Sequence, residues 1–235
     1  MEALFYTPDI LQNPELPAEE AGHCIRVLRK NVGDRIDLTD GKGFFYKAEI
    51  TQANAKHCLV RIVEQEEQKP LRDFRLHIAV APTKNMDRME WFVEKATEIG
   101  IDAVTCLNCR FSERREIKPE RLEKIMVSAM KQSQKAILPE MVGMTDFKSF
   151  IEKPFSGRKF IAHCEPGEKP LLAHIYQPHE DALILIGPEG DFSHDEITLA
   201  LQNGFEAVSL GESRLRTETA ALVACHTIHV MNQID

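Results

Sequence analysis

Five short apolar runs dominate the chain beyond residue 70: "RLHIAVA", "AVTCL", "KFIAHC", "ALILIG" and "EAVSL". Each leads into polar or glycine-bearing residues, and amphipathic helical patterns lie between them. In "NMDRMEWFVEKATEIG", Met89, Phe92, Val93, Ala96 and Ile99 line one face, and Gly100 can close the helix. A second helix is predicted from Pro119, a favoured first-turn residue, with Leu122, Ile125, Met126 and Ala129 on one side. Near-continuous apolar strands alternating with helices predict an α/β domain with a largely parallel sheet.

The first seventy residues follow a different rhythm. "DRIDLTD" and "FFYKAEI" flank "GKG", whose glycines suit positive φ, and "HCLVRIVE" follows. Before them, "PAEEAGHCIRVLRK" has the spacing of one amphipathic helix, with Cys24, Ile25 and Leu28 on its apolar side. Strands plus one helix in so short a segment predict a small β-barrel. "EQEEQKP" then reads as a linker ending at Pro70. The boundaries are therefore 1–69 for a barrel domain and 70–235 for the α/β domain.

A chain of 235 residues has ample length for a core, and no apolar run approaches the about 20 residues that span a bilayer. The N-terminus, "MEALFYTPDI", lacks a basic n-region, so no signal peptide is expected and the expected location is the cytoplasm. Six cysteines are scattered without disulfide-framework spacing. Cys106 and Cys109 form a C-x-x-C to which only Cys225 and His229 offer further ligands. Cys106 is expected instead to pack as a small apolar residue in a buried strand, with no metal bound.

A net charge of −8 argues against an indiscriminate nucleic-acid binder. The charge is uneven, however. Arg26, Arg29 and Lys30 cluster in "CIRVLRK", and Arg110, Arg114 and Arg115 crowd "CRFSERRE" among interleaved acids.

Two loops carry the chemistry. "LILIGPEGDFSHDE" drives a buried strand into Gly187-Pro188-Glu189-Gly190. Ser193 and Glu196 make a capping box, which predicts a helix from His194 and explains the acids of its first turn. Neither a P-loop nor a G-x-G-x-x-G is present, and Glu189 and Asp191 would repel a pyrophosphate. The loop suits a neutral or cationic ligand. In the second loop, "LGESRLRTETAAL", charged residues lie between a strand ending at Leu210 and a helix from about Thr219.

The two loops, together with "KNMDRMEWFVEKATEIG", "KQSQKAILPE", "HCIRVLR" and "GDRIDLTDGKG", resemble the SPOUT class of RNA methyltransferases, and most closely its RsmE family. The resemblance spans almost the whole chain. It implies an N-terminal PUA-like β-barrel and a C-terminal α/β SPOUT domain with a largely parallel sheet and a deep trefoil knot. It also implies a homodimer and S-adenosylmethionine as cofactor. The implied activity is methylation of N3 of a uridine in 16S rRNA, with the assembled small ribosomal subunit as the fitting partner and no membrane involved.

Carried over by resemblance, His163, Gly187, Pro188, Glu189, Gly190, Leu210, Gly211, Leu215, Arg216 and Thr217 would bind the cofactor. Asp191 stands where the family commonly has a third glycine, and Ser213 and Arg214 also depart from its pattern. For the reaction, Glu218 is the candidate base for the N3 proton and Arg216 the candidate stabiliser of charge on the flanking carbonyl oxygens. Arg26, Arg29, Lys30, Lys84, Arg88, Arg110, Arg114 and Arg115 are the candidate RNA contacts, holding phosphates and register. Two rivals remain open at this point: a non-catalytic RNA-binding ribosome assembly factor, and a SPOUT methyltransferase for a different RNA.

Overall fold

The computed structural model describes residues 3–234; Met1 and Glu2, part of the N-terminal stretch that lacks a basic n-region, lie outside them. The chain forms two compact units, Met1–Leu71 with Val127–Leu138, and Arg72–Met126 with Pro139–Asp235.

In the first unit, strands β1 (Leu4–Tyr6), β2 (Glu15–Leu16), β3 (Arg35–Thr39), β4 (Phe44–Gln52) and β5 (Cys58–Glu67) form a nearly closed, barrel-like sheet in the order β1-β3-β4-β5-β2. Its core is filled by Phe5, Leu38, Tyr46, Ala48 and Ile50, with Cys24 and Cys58. Gly41 and Gly43 bracket the β3–β4 turn with φ of 73° and 109°, as "GKG" predicts. Two expectations need correction. The supposed linker is strand for its first half: Glu64, Gln65, Glu66 and Glu67 pair with Lys47, Tyr46, Phe45 and Phe44. A polar composition misleads here because the backbone ladder needs no apolar side chain, and these glutamates lie exposed. The predicted single helix breaks into α1 (Ala18–Gly22) and a π-helical turn, His23–Val27, which leaves Leu28 exposed rather than packed.

The segment Val127–Leu138 joins this unit through backbone and side chains. Gly43 N donates to Ala136 O at 2.8 Å, Ala136 N donates to Gln68 Oε1 at 2.5 Å, and Lys131 pairs with Glu20.

In the second unit, β6 (Leu76–Val80), β7 (Ala103–Asn108), β8 (Glu140–Asp146), β9 (Arg158–Ala162), β10 (Ala182–Ile186) and β11 (Glu206–Val208) make a sheet ordered β11-β9-β10-β6-β7-β8. Every pairing in it is parallel. Helices α2 (Met86–Ile99), α3 (Pro119–Gln132), α4 (Phe147–Ile151), α5 (Leu172–Ile175), α6 (His194–Gln202) and α7 (Thr217–Met231) connect or follow the strands. The last turns of α3 fall in the segment assigned to the first unit.

All five residues of β10 are buried because both faces of the sheet are covered. Leu183 and Leu185 pack with Phe147, Phe150, Phe192 and Ile197 on the side of α4 and α6, while α7 packs on β6, β10 and α2. Met89, Phe92, Val93 and Ala96 of α2 are buried as its periodicity predicts, and Gly100 ends the helix at a φ of 128°. No helix of the described residues is long and apolar enough to cross a membrane.

Candidate active site at the ends of three parallel strands

β11, β9 and β10 are neighbours in the sheet and run the same way, so their carboxyl ends deliver three loops to one place. Ligands in open α/β sheets sit at such ends. The loops following β9, β10 and β11, with Ala220 from α7, line an open cavity of about 780 Å³.

From the β9 loop, His163 lines the cavity, and its Nδ1 is buried without a partner. Burial, followed by the nearby Lys169 cation, holds its pKa below the ordinary imidazole range against the opposing pull of Asp191 and Glu165. The ring is therefore neutral at pH 7. Lys169 Nζ donates to Glu165 O at 2.5 Å, closing this loop on itself.

The β10 loop is pinned on every side. Gly187 and Pro188 are buried, and a Cβ on Gly187 would lie 3.1–3.2 Å from the ring and N of Phe192. Thr217 Oγ1 donates to Gly187 O at 3.1 Å. Glu189 Oε1 accepts from Lys84 N at 2.9 Å. A Cβ on Gly190 would meet Phe111 at 3.2 Å. Asp191 has a φ of 65°, the left-handed region that glycine enters most easily, which is why a glycine suits this position. The expected capping box is present: Ser193 and Glu196 bond reciprocally and α6 starts at His194. Glu196 also accepts from Arg110 N at 2.8 Å.

The β11 loop is looser. The strand ends at Val208, two residues before the expected Leu210, and α7 begins at Thr217 rather than Thr219. The early start draws Thr217 onto Gly187 O and places Glu218 in the first buried turn. Gly211, at a φ of 126°, makes the turn, and Leu210, Gly211, Glu212, Ser213, Arg214 and Leu215 line the cavity.

Arg216 is the N-cap of α7 and is exposed. Glu218 is buried at 6% exposure, with Oε1 3.7 Å from Arg88 Nε. Its Oε2 is buried and has no partner. A buried acceptor left unsatisfied costs about 1–3 kcal/mol and calls for an explanation.

The structure thus brings His163, Gly190, Leu210, Gly211 and Leu215 to the cavity wall, whereas Gly187, Pro188, Glu189, Arg216, Thr217 and Glu218 do not line it. Sequence reasoning assigned no role to Lys169, Phe192 or Ala220, which also line it. The run of small residues in "TETAAL" was the available signal for Ala220, where a larger side chain would fill the space.

The candidate RNA contacts divide. Arg26 and Arg29 are exposed on and just after the π-helical turn, and Lys30 Nζ donates to Arg35 O. The others are engaged within the second unit. Lys84 pairs with Glu113, Arg88 with Glu218, and Arg110 with Asp195. Arg114 donates to Lys84 O at 2.6 Å and to Thr83 O at 3.2 Å, and Arg115 reaches Arg110 O.

Cys106 is buried in β7, and burial pushes its thiol up to about 12. Cys109 and Cys225 are also buried, and His229 Nε2 lies 2.5 Å from Gly100 O.

Comparison with known proteins places the chain in a family. A model of the RNA methyltransferase domain covers residues 67–229, and one of the RNA methyltransferase PUA domain covers residues 16–63. A "Ribosomal RNA small subunit methyltransferase E" from Synechocystis is 32% identical over 216 residues, covering 88% of this chain and 69% of the relative. The chain belongs to the RsmE family of RNA methyltransferases. A crystal structure of a probable rRNA-methyltransferase from Porphyromonas gingivalis is 48% identical, with a TM-score of 0.93 over 98% of each chain. A ribosomal RNA small subunit methyltransferase E from Neisseria gonorrhoeae, crystallised with S-adenosyl methionine, is 26% identical, with a TM-score of 0.86 over 98% of each chain.

Proposed function

We propose that this RsmE family member uses S-adenosylmethionine to methylate N3 of a uridine in 16S rRNA, acting in the cytoplasm on the assembled small subunit. The observation that carries the reading is the cavity itself, built from three strand-end loops, with the partnerless Nδ1 of a neutral His163 in its wall. The residues fit the cofactor. Glu165 and Glu212 bring carboxylates to the wall, against Lys169 and Arg214, a mixture that accepts a cationic sulfonium and an amino group. The Neisseria relative that holds the cofactor supports the same reading.

When bound, S-adenosylmethionine supplies an electrophilic methyl group on sulfur. His163, Gly190, Leu210, Gly211 and Leu215 would hold it, with Gly187, Pro188, Glu189 and Thr217 supporting that wall from behind. Glu218, whose buried Oε2 has no partner, takes the N3 proton of the uracil, with Arg88 Nε 3.7 Å from its other oxygen. Arg216 offsets charge on the carbonyl oxygens flanking N3. Because N3 is hidden in a base pair, the target is unpaired or flipped out.

The barrel domain, placed at 1–69, serves as the RNA-binding module, and the methyltransferase domain, at 70–235, carries the reaction. Arg26, Arg29 and Lys30 are the phosphate contacts most open to RNA. The remaining basic residues would join them only after exchanging their present partners. Our reading includes a trefoil-knotted chain and a homodimer.

The decisive experiment incubates the protein with labelled S-adenosylmethionine and small subunits lacking the modification, then maps the product by mass spectrometry. N3-methyluridine at one site is the expected result. Cofactor binding without transfer would point to another RNA, and no binding would favour an assembly factor. Arg216→Ala should cut turnover by about 10²-fold or more while leaving the melting curve unchanged; wild-type turnover from the folded variant would remove Arg216 from the reaction.

A further inference from the structure

Asp191 stands at an uncomfortable backbone position and makes unusually directed bonds. Its φ of 65° lies in the left-handed region, which glycine enters freely and which a side chain opposes. Aspartate tolerates the region better than most residues, but tolerance does not explain where its oxygens go. Oδ1 accepts from its neighbour Phe192 N at 2.8 Å, while Oδ2 reaches across to accept from Cys164 N at 2.7 Å. The two donors belong to different loops of the cavity wall.

We propose that Asp191 is a positioning residue: its carboxylate latches the loop after β9 to the loop after β10 and so preforms the cofactor cavity. The inference rests on the reading of that cavity as the S-adenosylmethionine site.

The two loops differ in how they are anchored. Phe192 is buried, packs against Phe147 with ring centroids 5.5 Å apart, and underlies Gly187. The β10 loop therefore belongs to the core. The β9 loop leaves the sheet at Ala162 and rejoins the fold at Pro170–Leu172, where its backbone bonds to Ser209.

Between those points, Lys169 ties the loop only to its own carbonyls at Glu165 and Gly167. Among the described residues, the other side-chain tether is an exposed pair, Glu165 with His194 at 3.3 Å. The Asp191–Cys164 bond is thus the short, charge-assisted link between the β9 loop and a rigid neighbour. It acts one residue from His163, whose Nδ1 has no partner. A loop held in its bound shape before the ligand arrives loses less freedom on binding.

The test separates the latch from mere tolerance of the turn. Asp191→Gly keeps the backbone conformation and removes both bonds; Asp191→Asn keeps one acceptor oxygen and most of the tolerance. Titration calorimetry with S-adenosylmethionine should show about tenfold weaker binding for Asp191→Gly and an intermediate loss for Asp191→Asn. With RNA substrate, KM for the cofactor should rise while kcat at saturation holds. Hydrogen exchange of the ligand-free protein should be faster at the Cys164 amide in Asp191→Gly, with an unshifted melting midpoint.

Equal or tighter binding by Asp191→Gly would overturn the positioning role, and unchanged exchange at Cys164 would overturn the latch itself. Should the wild-type protein fail to bind S-adenosylmethionine, the functional reading fails, while the exchange measurement still decides the latch.

Discussion

Two loops rich in charge and glycine leave neighbouring ends of one sheet, yet the protein treats them oppositely. In "GPEGDF", residues 187–192, the polar groups are bonded within the fold: Glu189 to Lys84 N, Asp191 to Cys164 N and Phe192 N, and the carbonyl of Gly187 to Thr217. In "GESRLR", residues 211–216, the side chains of Glu212, Ser213, Arg214 and Arg216 are exposed, with no hydrogen bond or ion pair among the described residues. The first loop is a preorganised wall. The second leaves its charged groups open to solvent. Similar composition therefore does not imply similar work; the division follows from what lies beneath each loop. Phe192 anchors the first in the core, whereas the second spans from a three-residue edge strand to α7.

Removing the anchor should break this contrast most severely. Phe192→Ala empties a buried aromatic site and should cost about 3–5 kcal/mol in urea denaturation. A loss under about 1 kcal/mol would mean that the first loop is held by its polar bonds alone.

Gly187→Ala is the next largest change, because its methyl would press on the Phe192 ring and backbone. A cost of about 1–3 kcal/mol is expected, together with weaker cofactor binding.

A smaller effect concerns pH. Burial depresses the folded-state pKa of His163, so the folded protein binds its proton less readily than the unfolded chain. Its share of stability is fully present above about pH 6.5, the ordinary imidazole value, and is lost as pH falls through the depressed value. His163→Gln should flatten that part of the stability profile, as read from denaturation midpoints between pH 7 and pH 5.

The smallest effect belongs to the second loop. Glu212→Ala should leave stability within about 0.5 kcal/mol of wild type, and a larger loss would show that this loop, like the first, is bonded into the fold.

Much of this arrangement was legible beforehand. The face of α2 followed from the spacing of Met89, Phe92, Val93 and Ala96, and the start of α6 from Ser193 and Glu196, because both depend on residues within one or two turns. The glycine loops pointed to the cavity because apolar runs ending in glycine mark strand ends.

What the sequence did not show has a different cause. Glu64–Glu67 read as a linker because strand pairing with Phe44–Lys47 leaves no trace in their own composition. Charge alone could not show that Arg88 and Arg114 have partners within the fold, 130 and 30 residues away. Asp191 does lie at the pocket, but only the structure shows both its oxygens bound to backbone amides.

The sequence by itself determined several local units: the apolar strands, the face of α2, where α6 is capped, and which two loops carry glycine and charge. Those features arise from interactions between near neighbours, and periodicity records them. Tertiary structure alone decided that residues 127–138 belong with the first unit, that β11 returns beside β9, and which charges are spent inside the fold. These depend on contacts between segments far apart in the chain, whose free energy exists only once the sheet has assembled.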